Sequence, residues 1–295
     1  MTVTLIVLLA AVAAAAVVFV LSVVRSLPGP LDPIDRERAF IRRLERHPRL
    51  RRFLRQRLDH TTAGGLVLTV ALLAAFGVAV FVAAVLDMID GSYGLASLDD
   101  DVTQWGVANA DTAAVEILTA ITYLGDTVVV LAAMFAAGVI DFLRHRRPEV
   151  FLFLAAVIFG EKLIVNGLKE IIDRGRPDVM QLVGWEGPSF PSGHAAAAAA
   201  AWPAIALVLG RGCGRVSRAL LSAGAALTAV AVAASRALLG VHWLTDIVAG
   251  VAIGYGWFLI CAVMFGGRAQ RLGDPLTAQP QGISAHPEAA KPTDE

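Results

Sequence analysis

Six apolar segments of membrane-spanning length follow one another through most of the chain, and they constrain its fold more than any other feature. They lie at residues 66–86, 126–143, 150–168, 193–210, 217–235 and 242–265. A helix needs about 20 apolar residues to cross the hydrocarbon of a bilayer. Backbone groups in lipid must also be hydrogen-bonded within the protein. With 57% hydrophobic residues, the chain is predicted to form an all-α integral membrane helical bundle with a six-helix core.

A seventh apolar segment, residues 2–24, precedes this core, and we expect one N-terminal transmembrane helix there. A basic tract, residues 25–57, follows this segment instead of preceding it, and this order favours an uncleaved anchor over a signal peptide. We interpret the tract as amphipathic helices on the cytoplasmic membrane surface, not as a nucleic-acid-binding segment. The predicted divisions are the anchor and basic segment at 1–62, a membrane-embedded domain at 63–266, and a disordered cytoplasmic tail at 267–295.

The distribution of charge predicts the orientation of the bundle. Formal net charge is zero, so the overall balance indicates no partner. Every second connection is, however, basic, and Lys and Arg accumulate in cytoplasmic loops. The basic stretches are 25–57, 144–147, 211–218 and 268–271, and an acidic connection at 87–111 lies between two of them. This pattern places the N-terminus outside and the C-terminus inside.

The acidic connection is expected to contain further helical structure. Asp99 and the two aspartates after it are typical of a helix N-terminus. Residues 112–124 fit either an extension of the following span or a separate interfacial helix. Asp126 is predicted to cap that span.

Three clusters of ionisable residues lie where spans end or begin on the predicted outer side. Charged residues beside membrane segments are costly and are functional candidates. Lys169 and Arg176 form the first cluster, and the second is Ser192-Gly193-His194. Arginine forks and a lysine can neutralise a phosphate dianion without metal. Ser192 can cap the helix that follows, and Gly193 allows close approach of an anion to the backbone.

The third cluster contains Arg236, His242 and Asp246. The last two are four residues apart, so on a helix the carboxylate can orient the imidazole. An oriented imidazole beside phosphate-binding cations is a candidate nucleophile, and His194 is a candidate general acid. Each feature alone is more typical of a helix-end cation, a helix cap or a structural pair. Their convergence favours a phosphate site.

Together the clusters resemble the signature of the type-2 phosphatidic acid phosphatase superfamily, the lipid phosphate phosphatases. That signature reads K-x6-R-P, then P-S-G-H, then S-R-x5-H-x3-D, and all three parts match here in order and spacing. The resemblance covers residues 63–266. It implies hydrolysis without metal or other cofactor, with His242 as nucleophile, Asp246 as its orienting partner and His194 as general acid. The phosphate-binding residues that it implies are Lys169, Arg176, Ser192, Gly193 and Arg236.

The sequence therefore predicts a phosphatase that acts on a lipid phosphate or polyprenyl diphosphate at the outer face of a bacterial cytoplasmic membrane. Undecaprenyl diphosphate, phosphatidylglycerol phosphate and phosphatidic acid are all candidate substrates. Two alternatives are a phosphotransferase that uses the same site and a non-catalytic lipid-phosphate carrier or flippase. Two residues near the first cluster are not assigned to the site. Arg174 is interpreted as a helix-end cation, and Glu161 either supports Lys169 through a polar network or faces a neighbouring helix.

Overall fold

The structure is a computed structural model that describes residues 63–184 and 186–269, together with residues 4, 7 and 11–19 near the N-terminus. Every regular element in this part of the chain is a helix, which confirms the all-α prediction. Two short 3₁₀ turns, Gly94–Leu98 and Tyr123–Gly125, lie in the connections. The α-helices are α1 (Ala63–Gly91), α2 (Asp99–Asn109), α3 (Thr112–Thr122), α4 (Thr127–His145), α5 (Glu149–Ile172), α6 (Gly193–Leu209), α7 (Arg215–Leu238) and α8 (Leu244–Ala269).

Among the described helices, five are long and apolar enough to cross a membrane: α1 over Ala71–Gly91, α4, α5, α7, and α8 over Leu244–Phe265. The sixth core helix, α6, has 17 residues and lies at the centre of the bundle, packed against α4, α5, α7 and α8. Its alanines at positions 195–201 are all buried. Small side chains let neighbouring helices approach closely. Because α6 is enclosed by other helices, its length need not match the bilayer.

The outward surface of the bundle is strongly apolar. Several large hydrophobic side chains on α1, α4 and α5 are more than half exposed, among them Phe76, Phe135, Phe159 and Leu163. A patch of this extent would be unfavourable in water, whereas acyl chains are a suitable solvent for it. The chain is therefore a multi-pass membrane protein.

The connection between α1 and α4 contains two separate helices. Residues 112–122 form α3, so the alternative of an extended α4 is wrong. Asp126 caps α4 as predicted, because its side chain accepts a hydrogen bond from the Val128 N–H at 2.8 Å. Helix α2 begins at Asp99, also as predicted.

Part of the predicted N-terminal helix packs on the core. Residues 11–19 are helical, and Val7 and Ala11 are buried against Leu118 of α3 and Ala231 of α7. The basic segment up to residue 62 and the tail from residue 270 lie outside the described residues, so the predicted domain boundaries stay predictions.

Candidate active site

The three sequence clusters meet at one end of the bundle, which we call the motif end. Helices α5 and α7 finish there, and α6 and α8 begin there. The charge of Lys169 interacts with those of Arg176, Arg236 and Asp246. Arg236 in turn lies close enough to both His194 and His242 to influence their charge. The topology thus brings the predicted ionisable residues into one cluster.

Close packing of α8 against α6 fixes the second cluster to the third. A Cβ atom at Gly250 would lie 2.6 Å from the carbonyl oxygen of Ser192, and one at Gly254 would lie 2.1 Å from that of Ala196. Only glycine permits this contact between a helix and a neighbouring backbone. The Ser192 N–H also donates to the backbone oxygen of Asp246 at 3.0 Å. The two predicted catalytic segments are therefore in direct backbone contact.

His242 is buried between a carboxylate and a guanidinium. Its Nδ1 lies 3.5 Å from Asp246 Oδ2, longer than an ordinary hydrogen bond, and its Nε2 lies 3.4 Å from Arg176 Nη1. Burial lowers the pKa of His242 from 6.5 to about 4, and Asp246 opposes this shift only in part. The imidazole is consequently neutral at neutral pH, with Nε2 facing the cations.

One detail of the His242 prediction is wrong. Their four-residue spacing predicted both residues on one helix, but α8 begins at Leu244, after His242. The carboxylate instead accepts a hydrogen bond from the Trp243 N–H at 3.0 Å, which stabilises the start of the helix. A turn that folds back on the first helical residues brings the pair together.

Backbone carbonyls hold the cations of the first cluster. Arg176 donates from Nε to Gly187 O at 2.9 Å and from Nη1 to Val241 O at 2.6 Å. Lys169 Nζ donates to the carbonyl of Pro188. Burial lowers the pKa of Arg176, although arginine stays charged at neutral pH. The loop before α6 therefore helps to position Arg176 beside His242, and the charge of Lys169 interacts with that of Arg176.

Arg236 and Ser192 have buried polar atoms without a protein partner. Arg236 donates from Nη1 to Thr122 Oγ1 at 3.3 Å, but no described residue accepts a hydrogen bond from its Nε. Ser192 occupies the N-cap position of α6, yet its hydroxyl caps nothing and is also unpartnered. The predicted capping bond is therefore not formed. Buried polar groups are nearly always paired, so these two atoms are suited to a bound anion.

Gly193 and His194 form the first turn of α6. Apart from its chain neighbours and its own helix, the described residues place one atom within 4 Å of a Cβ built at Gly193, a Val165 methyl carbon at 3.8 Å, which leaves open space beside the backbone. His194 is covered from the other side by the turn at Gly125, where a Cβ would lie 2.8 Å from the His194 carbonyl oxygen. The turn before α4 thus helps to place the predicted general acid.

Arg174 is part of the cluster, although its sequence position predicted an ordinary helix-end cation. Its Nη1 donates to Asp246 Oδ1 at 2.6 Å, and its Nη2 donates to Asp99 Oδ2 at 2.9 Å. Thr245 joins the network, because its N–H and hydroxyl donate to the two oxygens of Asp99 at 2.9 and 2.6 Å. The guanidinium therefore joins two buried carboxylates, one of which is the partner of His242.

Only a weak sequence signal pointed to this network. An additional arginine two residues before Arg176 and an acidic run in the outer connection are both visible in the sequence, but neither identifies the other. Arg174 and Asp99 are 75 residues apart. The fold alone brings them together.

Glu161 and Lys162 form an ion pair within α5. Both carboxylate oxygens of Glu161 are buried without a hydrogen-bond partner, so Glu161 does not support Lys169 through a hydrogen-bond network. Among the described residues, Lys162 is the cation within ion-pair distance of Glu161, with its Nζ 3.9 Å from Oε2. Glu161 therefore does not support Lys169, and the other predicted role, that of facing a neighbouring helix, is the one that remains.

Comparison with known proteins identifies the family. A sequence profile described as the PAP2 superfamily matches residues 149–270. Phosphatidylglycerophosphatase B from Bacillus subtilis is 35% identical over 148 residues, which are 49% of this chain and 72% of that protein. The chain belongs to the PAP2 superfamily. It is thus a membrane lipid phosphatase of the PAP2 type.

Other PAP2 proteins agree with this assignment. The crystal structure of a transmembrane PAP2-type phosphatidylglycerolphosphate phosphatase from Bacillus subtilis superposes with a TM-score of 0.61 and 30% identity, covering 66% of this chain and 97% of that one. A lipid A 1-phosphatase from Rhizobium etli is 32% identical over 126 residues, covering 39% of this chain and 49% of that protein. The similarity to the Rhizobium protein therefore extends over about half its length.

Proposed function

We propose that this PAP2 protein removes the terminal phosphate from a lipid phosphate or diphosphate through a phosphohistidine on His242, without a metal ion. The observation that carries the proposal is the setting of the imidazole. It is buried and neutral, with Asp246 beside Nδ1 and the guanidinium of Arg176 beside Nε2. A phosphate bound by that guanidinium would lie next to the lone pair of Nε2.

In the first step, Nε2 of His242 attacks phosphorus and the bond to the lipid oxygen breaks. The negative charge of bound phosphate favours the protonated form of His194, which burial and the neighbouring cations disfavour. His194 then donates a proton to that oxygen, so the lipid leaves as an alcohol or, from a diphosphate, as a monophosphate. In the second step, His194 accepts a proton from water as the water oxygen attacks phosphorus. The bond between phosphorus and Nε2 breaks, which restores the imidazole of His242 and releases inorganic phosphate. The groups that offset the negative charge on the phosphoryl oxygens are Lys169, Arg176, Ser192, Gly193 and Arg236.

We place this reaction at the outer face of a bacterial cytoplasmic membrane. The basic connections at 144–147 and 211–218 lie at the opposite end of the bundle from the motif end, as the positive-inside rule requires for an outward-facing site. The candidate substrates are undecaprenyl diphosphate, phosphatidylglycerol phosphate and phosphatidic acid. The name of the Bacillus relative supports the second of these.

The test is phosphate release by the full chain, purified in detergent with EDTA present, from each of the three lipids. Wild type should release inorganic phosphate from at least one lipid, and His242→Ala should lose at least about a thousandfold in kcat. A brief reaction with ³²P-labelled substrate should also leave acid-labile label on wild type and none on the variant. Activity that persists in EDTA and in His242→Ala would rule out the histidine mechanism. Label recovered on a lipid or sugar acceptor would indicate a phosphotransferase.

A further inference from the structure

Lys162 is a charged residue in the apolar interior of α5. It lies seven residues before Lys169, which in an α-helix is about 10 Å along the axis and within about 20° of the same face. Lysines inside a membrane span are rare and mark functional positions by default. Lys162 therefore lies directly beneath the phosphate-binding cluster, on its membrane side.

Lys162 pairs with Glu161 but donates no hydrogen bond to it. The 3.9 Å separation from Glu161 is an ion pair too long for a hydrogen bond. Among the described residues, no other group lies within hydrogen-bond or ion-pair distance of the ammonium. Its side chain is 26% exposed, whereas the side chain of Glu161 is inaccessible. The buried carboxylate thus stabilises the charge of Lys162, while the N–H donors stay available to a ligand.

Lys162 also lies near the leaving-group side of the proposed reaction. Its charge interacts with those of Lys169 and His194. His194 is the residue proposed to protonate the lipid oxygen, so the part of the substrate that remains with the lipid lies towards it. A cation in this position faces the portion of the head group between the scissile phosphate and the acyl chains.

The candidate lipids differ in that portion. Phosphatidylglycerol phosphate and undecaprenyl diphosphate each keep one phosphate after losing the terminal one, and that second phosphate lies between the scissile bond and the hydrocarbon. Phosphatidic acid has only the phosphate that is removed. An ammonium group that can donate to phosphate oxygens distinguishes the two kinds of lipid.

We propose that Lys162 binds the second phosphate of the substrate and directs the enzyme towards lipids that retain a phosphate after hydrolysis. This inference rests on the proposed function. The competing explanation is that Lys162 serves only to neutralise Glu161 within the bundle.

The experiment compares kcat/KM on phosphatidylglycerol phosphate, undecaprenyl diphosphate and phosphatidic acid in one detergent, using the full chain. Lys162→Met should lose at least about tenfold more on the two lipids with a second phosphate than on phosphatidic acid, since a charge-assisted hydrogen bond is lost. Lys162→Arg should restore most of that ratio. Arg147→Met, at the opposite end of the bundle, is the matched control and should leave the ratio unchanged.

The double variant Glu161→Gln, Lys162→Met separates the two explanations. Because it leaves no unpaired buried charge, it also serves if Lys162→Met alone does not fold. If Lys162 only neutralises Glu161, the double variant should recover the wild-type ratio. If Lys162 binds phosphate, the ratio should stay low. Equal losses on all three lipids, or no loss, would overturn the inference and leave the proposed function intact. No hydrolysis of any lipid by folded wild type would overturn both.

Discussion

At the scale of single residues, the guanidinium of Arg174 is the main addition that the structure makes to the signature. It donates to Asp246 and Asp99 and lies over the ring of Trp243, with its central carbon 5.3 Å from the ring centroid. Asp246 is therefore held by Arg174 on one oxygen and by the Trp243 N–H on the other. We interpret Arg174 as a positioning residue that acts on His242 through Asp246.

Arg174→Gln is expected to lower kcat by about tenfold to a hundredfold with little change in KM, because it disturbs the partner of the proposed nucleophile and not a proposed phosphate contact. Removing one member of a buried charge pair also destabilises a protein, by about 3–5 kcal/mol. Steady-state kinetics and thermal unfolding in detergent measure the two effects. Arg174→Lys should recover part of kcat. A rise in KM without a change in kcat would show that Arg174 contacts substrate directly.

The signature residues could be predicted from the sequence because their chemistry and spacing are specific to phosphate. Arg174 and Asp99 could not be assigned in this way, because an arginine at a helix end and an aspartate in a helix first turn both have ordinary structural explanations. Lys162 was visible as a charge within a span, but the sequence did not show that, among the residues the structure describes, its only near partner is a buried carboxylate.

At the scale of helices, the contact of α8 with α6 determines whether the clusters can meet. Gly250 and Gly254 form a G-x-x-x-G pattern, which is typical of closely packed membrane helices. Hydropathy predicted where the spans lie, but it could not predict that the short α6 is central or that α8 packs on its backbone. Those facts depend on the packing of all the helices together.

Gly254→Ala should reduce both stability and activity, although residue 254 touches no proposed catalytic group. Its Cβ would lie 2.1 Å from the Ala196 carbonyl oxygen, so the two helices must separate. Overpacking of this kind costs about 1–3 kcal/mol. Thermal unfolding and phosphate release measure the effects. Gly224→Ala in α7, where a Cβ meets no atom within 4 Å, is the matched control and should not destabilise. Equal behaviour of the two variants would mean that the contact is not needed.

At the scale of the whole molecule, the bundle has chemically different ends. The proposed catalytic groups lie at the motif end, whereas Arg144, Arg211 and Arg215 lie at the other. One buried carboxylate, that of Asp141, binds Arg211 at 2.9 Å and His145 at 2.9 Å at that end. We expect this end to face the cytoplasm.

The orientation can be tested with thiol labelling in intact cells. Met180, 73% exposed, lies in the loop before α6, and the native Cys213 lies between α6 and α7 at the opposite end. A membrane-impermeant maleimide should label Met180→Cys in a Cys213→Ser background, because the loop faces outwards. It should label Cys213 only after the membrane is opened. Labelling of Cys213 in intact cells, together with protection of Met180→Cys, would reverse the orientation.

The carbonyls that surround Arg176 have a further consequence for the catalytic cycle. Its guanidinium donates to the backbone oxygens of Gly187, Glu186 and Val241. Phosphate bound by Arg176, as proposed, would replace these carbonyl oxygens as acceptors, and they would return when phosphate leaves. The returning oxygens compete with inorganic phosphate for the same donors. We therefore expect product to be displaced by the protein itself, which limits inhibition as phosphate accumulates around the cell.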